Sequence, residues 1–160
     1  MSAKRTGKTK TKSININNSK ELKIACVISE WHNEITESFF EGALSKFTNY
    51  GVLEKNIDKI YVPGSFELIF ATKNLIKKNY DAIITMGCII KGETKHFDFI
   101  SAAVINGIKD LNIISEVPII LCISTDNNIE QSIDRSGGKI GNKGADSAEA
   151  ALKMILINSK

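Results

Sequence analysis

The chain is poor in the residues that staple or interrupt a fold. It has two prolines, Pro63 and Pro118, so long elements can run unbroken between turns. Its three cysteines, Cys26, Cys88 and Cys122, are odd in number, lie in apolar stretches and match no metal-ligand spacing. They read as reduced core residues, which argues against a disulfide framework and leads us to expect a cytoplasmic location. No apolar run reaches the ~18 residues of a membrane span. The N-terminus is basic but lacks the apolar stretch of a secretory signal. Histidine occurs twice, as His32 and His96, and tryptophan once, as Trp31. With no cluster of ligand-type residues, no metal site is expected.

Acidic residues are missing from the first twelve positions, which carry Lys4, Arg5, Lys8, Lys10 and Lys12. The formal net charge is +3, so the remainder is about neutral and the folded body is not expected to bind nucleic acid. Residues 1–20 are expected to form a basic, disordered arm, because the basic stretch has almost nothing apolar to bury. Residues 21–160 are expected to form a single catalytic domain, a size that suits one core.

What is present is an alternation of strand and helix patterns. LKIACVIS (22–29), IDKIYV (57–62), DAIITMGCII (81–90) and VPIILCIS (117–124) are β-type apolar runs. Between them, Ile35, Phe39, Ala43, Leu44 and Phe47 recur at helical spacing over 33–49, and Leu68, Ala71, Leu75 and Ile76 mark a second helix. A third helix is expected over 97–112. A short fourth is expected over 127–134, with Asn127 as N-cap and Glu130 three residues on. A fifth follows Gly144, with Ala148, Ala151, Leu152, Ile155 and Leu156 on one face. Strands apolar on both faces need cover on both, so the expected fold is a three-layer α/β/α sandwich around a four-stranded parallel sheet. In such sheets ligands bind beyond the carboxyl ends of the strands.

Four turns fall at that edge. SEWHNEIT (29–36) brings Trp31, either a stacking face for an aromatic ligand or a residue packed under the next helix, and His32, which reads as a surface histidine. VPGSFEL (62–68) opens a helix whose first N–H groups are free to meet a ligand's oxygens, with Ser65, Phe66 and Glu67 in that turn. GCIIKGETKHFDF (87–99) brings Lys91, Gly92, Glu93, Thr94, Lys95 and His96. Histidine titrates near neutrality and can take and return a proton in one turnover, so His96 is the candidate catalytic group, with Asp98 near enough in sequence to orient it. DRSGGKIGNKG (134–144) sets Arg135, Lys139 and Lys143 among four glycines, a composition that favours phosphate or carboxylate binding, although it does not match the P-loop pattern.

In this order, the segments E-W-H-N-x-I-T, V-P-G-S-F-E-L, G-C-I-I-K-G-E-T-K-H-F-D-F and I-E-Q-S-I-D-R-S-G-G-K-I-G-N-K-G resemble the lumazine synthase family of riboflavin biosynthesis over about residues 22–157. The resemblance implies a flavodoxin-like fold. It also implies condensation of 5-amino-6-(D-ribitylamino)uracil with 3,4-dihydroxy-2-butanone 4-phosphate to 6,7-dimethyl-8-ribityllumazine, phosphate and water, without a cofactor. By the same resemblance, Trp31 stacks on the pyrimidine, Ser65 and Phe66 meet the pyrimidinedione or ribityl chain, and Glu67 binds ribityl hydroxyls. Gly92, Glu93 and Thr94 lie against the phosphorylated substrate, His96 transfers protons, Arg135 pairs with the phosphate and Lys143 stands close by. Leu121 lies in the strand that closes the pyrimidine pocket. Many members have arginine where Lys91 stands, phenylalanine where Leu121 stands and a glutamate within 101–103. The family's sites lie at subunit seams of a pentamer, and some members assemble twelve pentamers into a 60-mer shell. The rival readings are a non-catalytic flavin- or lumazine-binding shell protein and an archaeal-type riboflavin synthase. The retained His96 and Arg135 weigh against the first, and Arg135 with its glycine loop against the second.

Overall fold

All six residues of the first strand, Ile24–Ser29 (β1), are buried, and this strand sits inside a four-stranded sheet. A computed structural model describes residues 14–158. Residues 1–13, most of the expected arm, lie outside the described residues. Ile14 and Ile16, which belong to the stretch expected to be loose, pack partly buried against the core.

After β1 the chain runs through α1 (Asn33–Asn49), β2 (Ile57–Val62), α2 (Glu67–Leu75), β3 (Ala82–Ile90), α3 (His96–Ile114) and β4 (Ile119–Asp126). It ends with α4 (Ile129–Arg135), a small hairpin of β5 (Ser136–Gly138) and β6 (Gly141–Asn142), and α5 (Lys143–Asn158). The sheet order is β2-β1-β3-β4, and every pairing within it is parallel. This is the expected α/β/α sandwich.

Alternation along the strands divides the core. Ile24, Cys26 and Ile28 of β1 face Phe39, Phe47 and Leu152, so α1 and α5 cover one side. Ala25 and Val27 face Leu68, Val104 and Ile108, so α2 and α3 cover the other. Phe39 and Phe47 are fully buried, and each contributes roughly 2–3 kcal/mol of apolar burial. Burial pushes the Cys26 thiol far up and the Cys122 thiol up to about 11, as expected for uncharged core cysteines.

Several expectations shift on inspection. β2 is an outer strand, not apolar on both faces: Asp58, Lys59 and Tyr61 are exposed. Lys59 pairs with Glu37 at 3.0 Å and lies over the Phe40 ring, an arrangement that keeps this edge charged. The fourth helix is capped by Asn128, whose side chain accepts from the Gln131 N–H at 3.0 Å, while Gln131 Oε1 accepts from the Asn127 N–H at 2.8 Å. Two adjacent asparagines made the register ambiguous by one residue. β1 and β4 each start two residues later than expected, because Leu22 and Val117 lie beyond the ladder. The glycine-rich stretch is a hairpin, with Gly137 and Gly141 at φ of 116° and 83°. The last helix starts at Lys143, so Gly144 lies within it.

Gly144 fixes the distance between α1 and α5. A Cβ there would overlap the Phe39 carbonyl, a backbone atom that cannot turn aside. Gly144→Ala should therefore lose roughly 2–3 kcal/mol, despite alanine's better helix propensity of about 1 kcal/mol. A urea-unfolding midpoint unchanged from that of the parent would show that the two helices can part.

Candidate active site

The turns after β1, β2 and β3 are held together by their own backbone. The Glu30 N–H donates to the Val62 carbonyl at 2.8 Å, and the Trp31 N–H to the Pro63 carbonyl at 3.2 Å. These bonds continue the β1–β2 ladder past the strand ends, so Trp31 lies beside the turn that carries Ser65. Thr36 Oγ1, fully buried, donates to the Ser29 carbonyl at 2.8 Å and ties α1 back to the end of β1. The Lys91 N–H donates to the Asp126 carbonyl at 2.9 Å, which holds the start of the third turn to the end of β4.

Between these turns lies a cavity of about 420 Å³, within the range of small-molecule sites. Trp31 and His32 wall it from the first turn, and Gly64, Ser65, Phe66 and Glu67 from the second. Gly92, Thr94 and His96 wall it from the third. The floor and sides are apolar, from Ile89, Ile90, Phe97 and Ile100, with Cys88 among them. Trp31 is 69% and Phe66 53% exposed, so each offers an uncovered aromatic face. Ser65 is buried and Glu67 exposed, at the start of α2 where the first N–H groups have no partner within the helix.

His96 is the first residue of α3 and not, as expected, part of the loop before it. Its backbone N–H donates to Thr94 Oγ1 at 3.3 Å, a local side-chain turn that ties His96 to the loop before it. Asp98 is exposed and does not line the cavity.

Besides the apolar Ile89, Ile90, Phe97 and Ile100, sequence reasoning passed over two wall residues with polar or titratable side chains. His32 read as a surface histidine, yet it is half-buried, lines the cavity and meets the Trp31 ring edge-on at 6.2 Å between centroids. Its backbone is left-handed, at φ 57°, which lets its carbonyl accept the Ile35 and Thr36 N–H groups and start α1. The Trp-His-Asn run was the available signal, since His and Asn tolerate that conformation better than most residues. Cys88 read as core; it is buried, but one side borders the cavity. Behind it, its Sγ meets Ser132 Oγ at 3.4 Å, and that hydroxyl donates to Asp126 Oδ2 at 2.6 Å. Burial raises the Cys88 thiol above its ordinary value, so it stays protonated near neutrality.

Glu93, Leu121, Arg135 and Lys143 do not line this cavity. Glu93 is exposed in the third turn, and Leu121 is 38% exposed on β4, the strand at the far edge of the sheet from β2. Arg135 ends α4 and Lys143 begins α5, close enough to Cys122 for their charges to favour its thiolate. The Arg135 guanidinium is held within its own segment. Nη1 donates to the Ile140 carbonyl at 3.0 Å, and Nη2 to Asp146 Oδ2 at 3.2 Å. Among the described residues, no three His, Cys, Asp or Glu side chains gather in a way that would hold a metal ion.

The site is thus an apolar slot with two exposed aromatic faces and with a carboxylate and two histidines in its wall, and a cationic hairpin lies elsewhere on the same chain. It can seat a flat heterocycle with a polar tail and move protons beside it. Residues 21–159 match the family profile described as 6,7-dimethyl-8-ribityllumazine synthase. A protein of that name from Christiangramia forsetii is 51% identical over 144 residues, 89% of this chain and 86% of its own length. Its counterpart from Flavobacterium psychrophilum is 49% identical over 146 residues, 91% of this chain and 77% of its own. That from Bacteroides fragilis is 43% identical over 135 residues, 84% of this chain and 94% of its own. The profile match spans all four turns and the relatives agree in name, and the chain belongs to the 6,7-dimethyl-8-ribityllumazine synthase family.

Proposed function

We propose that the cavity binds 5-amino-6-(D-ribitylamino)uracil, that His96 moves the protons of the reaction, and that Arg135 of a neighbouring copy holds the phosphate of the second substrate. The chain is a transferase of riboflavin biosynthesis. It joins that uracil to 3,4-dihydroxy-2-butanone 4-phosphate to give 6,7-dimethyl-8-ribityllumazine. The reading rests above all on one observation: Trp31, Ser65, Phe66, Glu67 and His96 share a cavity, whereas Arg135 and Lys143 are absent from its wall.

The chemistry fits that division. The 5-amino nitrogen attacks the ketone, and water leaves as the imine forms. His96 removes the proton from the adjacent carbon, and the electron pair expels phosphate. Tautomerisation creates a methyl group and a new carbonyl. The ribitylamino nitrogen then closes on that carbonyl, and a second water leaves. Trp31 stacks on the pyrimidine, with the Ser65 and Phe66 backbone meeting its oxygens, and Glu67 accepts from ribityl hydroxyls. Gly92, Glu93 and Thr94 lie along the phosphorylated substrate, with Lys143 and Leu121 supplied from the neighbour. Both substrates are reactive unaided, so orientation contributes most, and positioned proton transfer adds ~10²–10⁴-fold.

The absence of Arg135, Lys143 and Leu121 from the cavity wall supports a head-to-tail ring that sets them against the His96 cavity of the next copy, and the family resemblance makes that ring a pentamer. The linker GGKIGNKG is short, as the resemblance implies for shell-forming members of the family, and this favours assembly of pentamers into a 60-mer shell. A cytoplasmic location fits the three unpaired thiols. The rival readings, a silent carrier and an archaeal-type riboflavin synthase, are not favoured, since the relatives are named for the condensing enzyme.

Steady-state assays, following lumazine by absorbance and phosphate by release with the uncatalysed rate subtracted, separate the roles. His96→Ala should lower kcat by about 10²-fold with little change in either KM. Arg135→Ala should raise the KM for the butanone phosphate by about 10- to 100-fold, the worth of a charge-assisted pair, and leave the KM for the uracil nearly unchanged. Co-assembling these two weakly active variants tests the seam. Random mixing at a head-to-tail interface should restore about a quarter of the sites. No recovery in assemblies shown to be mixed would place His96 and Arg135 of one site on a single chain.

A further inference from the structure

We propose that Asn142 is a positioning residue for Arg135, acting through a clamp between the hairpin and α1. The inference rests on the reading that Arg135 meets the phosphate. Asn142 pairs with Ser136 across the hairpin, and Ser136 directly follows Arg135. Its Nδ2 donates to the Ser38 carbonyl on α1 at 2.8 Å, across 104 residues of sequence. Its Oδ1 accepts from the Ala145 N–H at 3.1 Å and so caps α5. Ser38 Oγ donates in turn to the Ser136 carbonyl. One amide therefore joins three pieces: the hairpin, the first turn of α5 and α1.

Those pieces set the guanidinium. Of its two anchors, the Ile140 carbonyl lies at the hairpin tip and Asp146 in the first turn of α5. Asn142 stands between them in sequence and fixes both to α1. It does not line the cavity. The opposite side of the clamp is shaped to receive it: Gly42, one turn after Ser38, lies where any Cβ would overlap the Asn142 amide. A hydrogen bond alone could be incidental. A glycine cleared for that amide on a different element is an independent observation that its place is fixed.

The two functions of the amide can be separated. Asn142→Asp keeps an oxygen to cap α5 but loses the donor to Ser38, and sets a carboxylate against that carbonyl. Gly42→Ala displaces the amide from the α1 side, at a position where helix propensity favours alanine. In the full-length assembled enzyme, each should raise the KM for the butanone phosphate about five- to tenfold, the worth of a lost hydrogen bond near a charged group. Inhibition by inorganic phosphate should weaken by a similar factor. The KM for the uracil and the kcat should stay within about twofold, because the cavity itself is untouched. If both substrates' KM values rise together, or stay unchanged while the melting temperature falls, Asn142 is a helix cap and the inference fails. Should Asn142→Asp not fold, Gly42→Ala decides alone. Arg135→Ala is the control. If it leaves the KM for the phosphorylated substrate unchanged, the phosphate reading fails and this inference with it. If it raises that KM and neither clamp variant does, only the clamp is wrong.

Discussion

The parallel pairing of β1 with both neighbours is the constraint on which the rest depends. Ser29 pairs with Val62 on one side, and Ile28 with Met86 on the other, so three strands run level toward one edge. Their turns leave side by side and continue the ladder through the Glu30 and Trp31 N–H groups. Strand order also reverses here: the chain steps outward from β1 to β2, then back past β1 to β3. The helices that make these steps pack on opposite faces, α1 on one and α2 on the other. A crevice opens at such a reversal without further design, and the cavity lies in it.

The same two-faced arrangement separates the chemistry. α3 begins with His96 and covers the α2 face, while α4, the hairpin and α5 carry Arg135 and Lys143 on the α1 side. An apolar slot suits a flat heterocycle, but its interior would make a poor home for several cations, since unpaired charge away from water is costly. Keeping the cations on and beside the hairpin, with the Arg135 guanidinium held by the Ile140 carbonyl and Asp146, avoids that cost. A family whose members assemble can bring the two halves together across a seam, and the proposed site uses that geometry.

Elements whose signal is periodic were legible. Phe39, Ala43 and Phe47 specify α1, and Ala148, Ala151 and Ile155 specify α5, because a buried face must recur at the helical period. Boundaries set by single hydrogen bonds were less so. Asn127 and Asn128 are equally good caps on paper, and only the Gln131 N–H chose between them. The glycines of 137–144 announced an unusual backbone but not a hairpin, whose closure depends on Ser38 and Asn142 meeting across the fold. Of the proposed site residues, Trp31, Ser65, Phe66, Glu67, Gly92, Thr94 and His96 could be read from motifs and do share one cavity. Cys88 could not, since a thiol bordering a cavity looks, in sequence, like any core cysteine, and His32 offered only the backbone signal of its Trp-His-Asn run.

The sequence by itself determined the layers, the succession of the main strands and helices, and which edge of the sheet would hold the cavity. Each of these follows from hydrophobic period and chain direction, which are local properties. Tertiary structure alone decided how near α1 and α5 come at Gly144, how the hairpin is braced, and which candidate residues face one another. Those outcomes turn on contacts between segments a hundred residues apart, where a backbone carbonyl or a missing Cβ sets the geometry, and no local pattern records them.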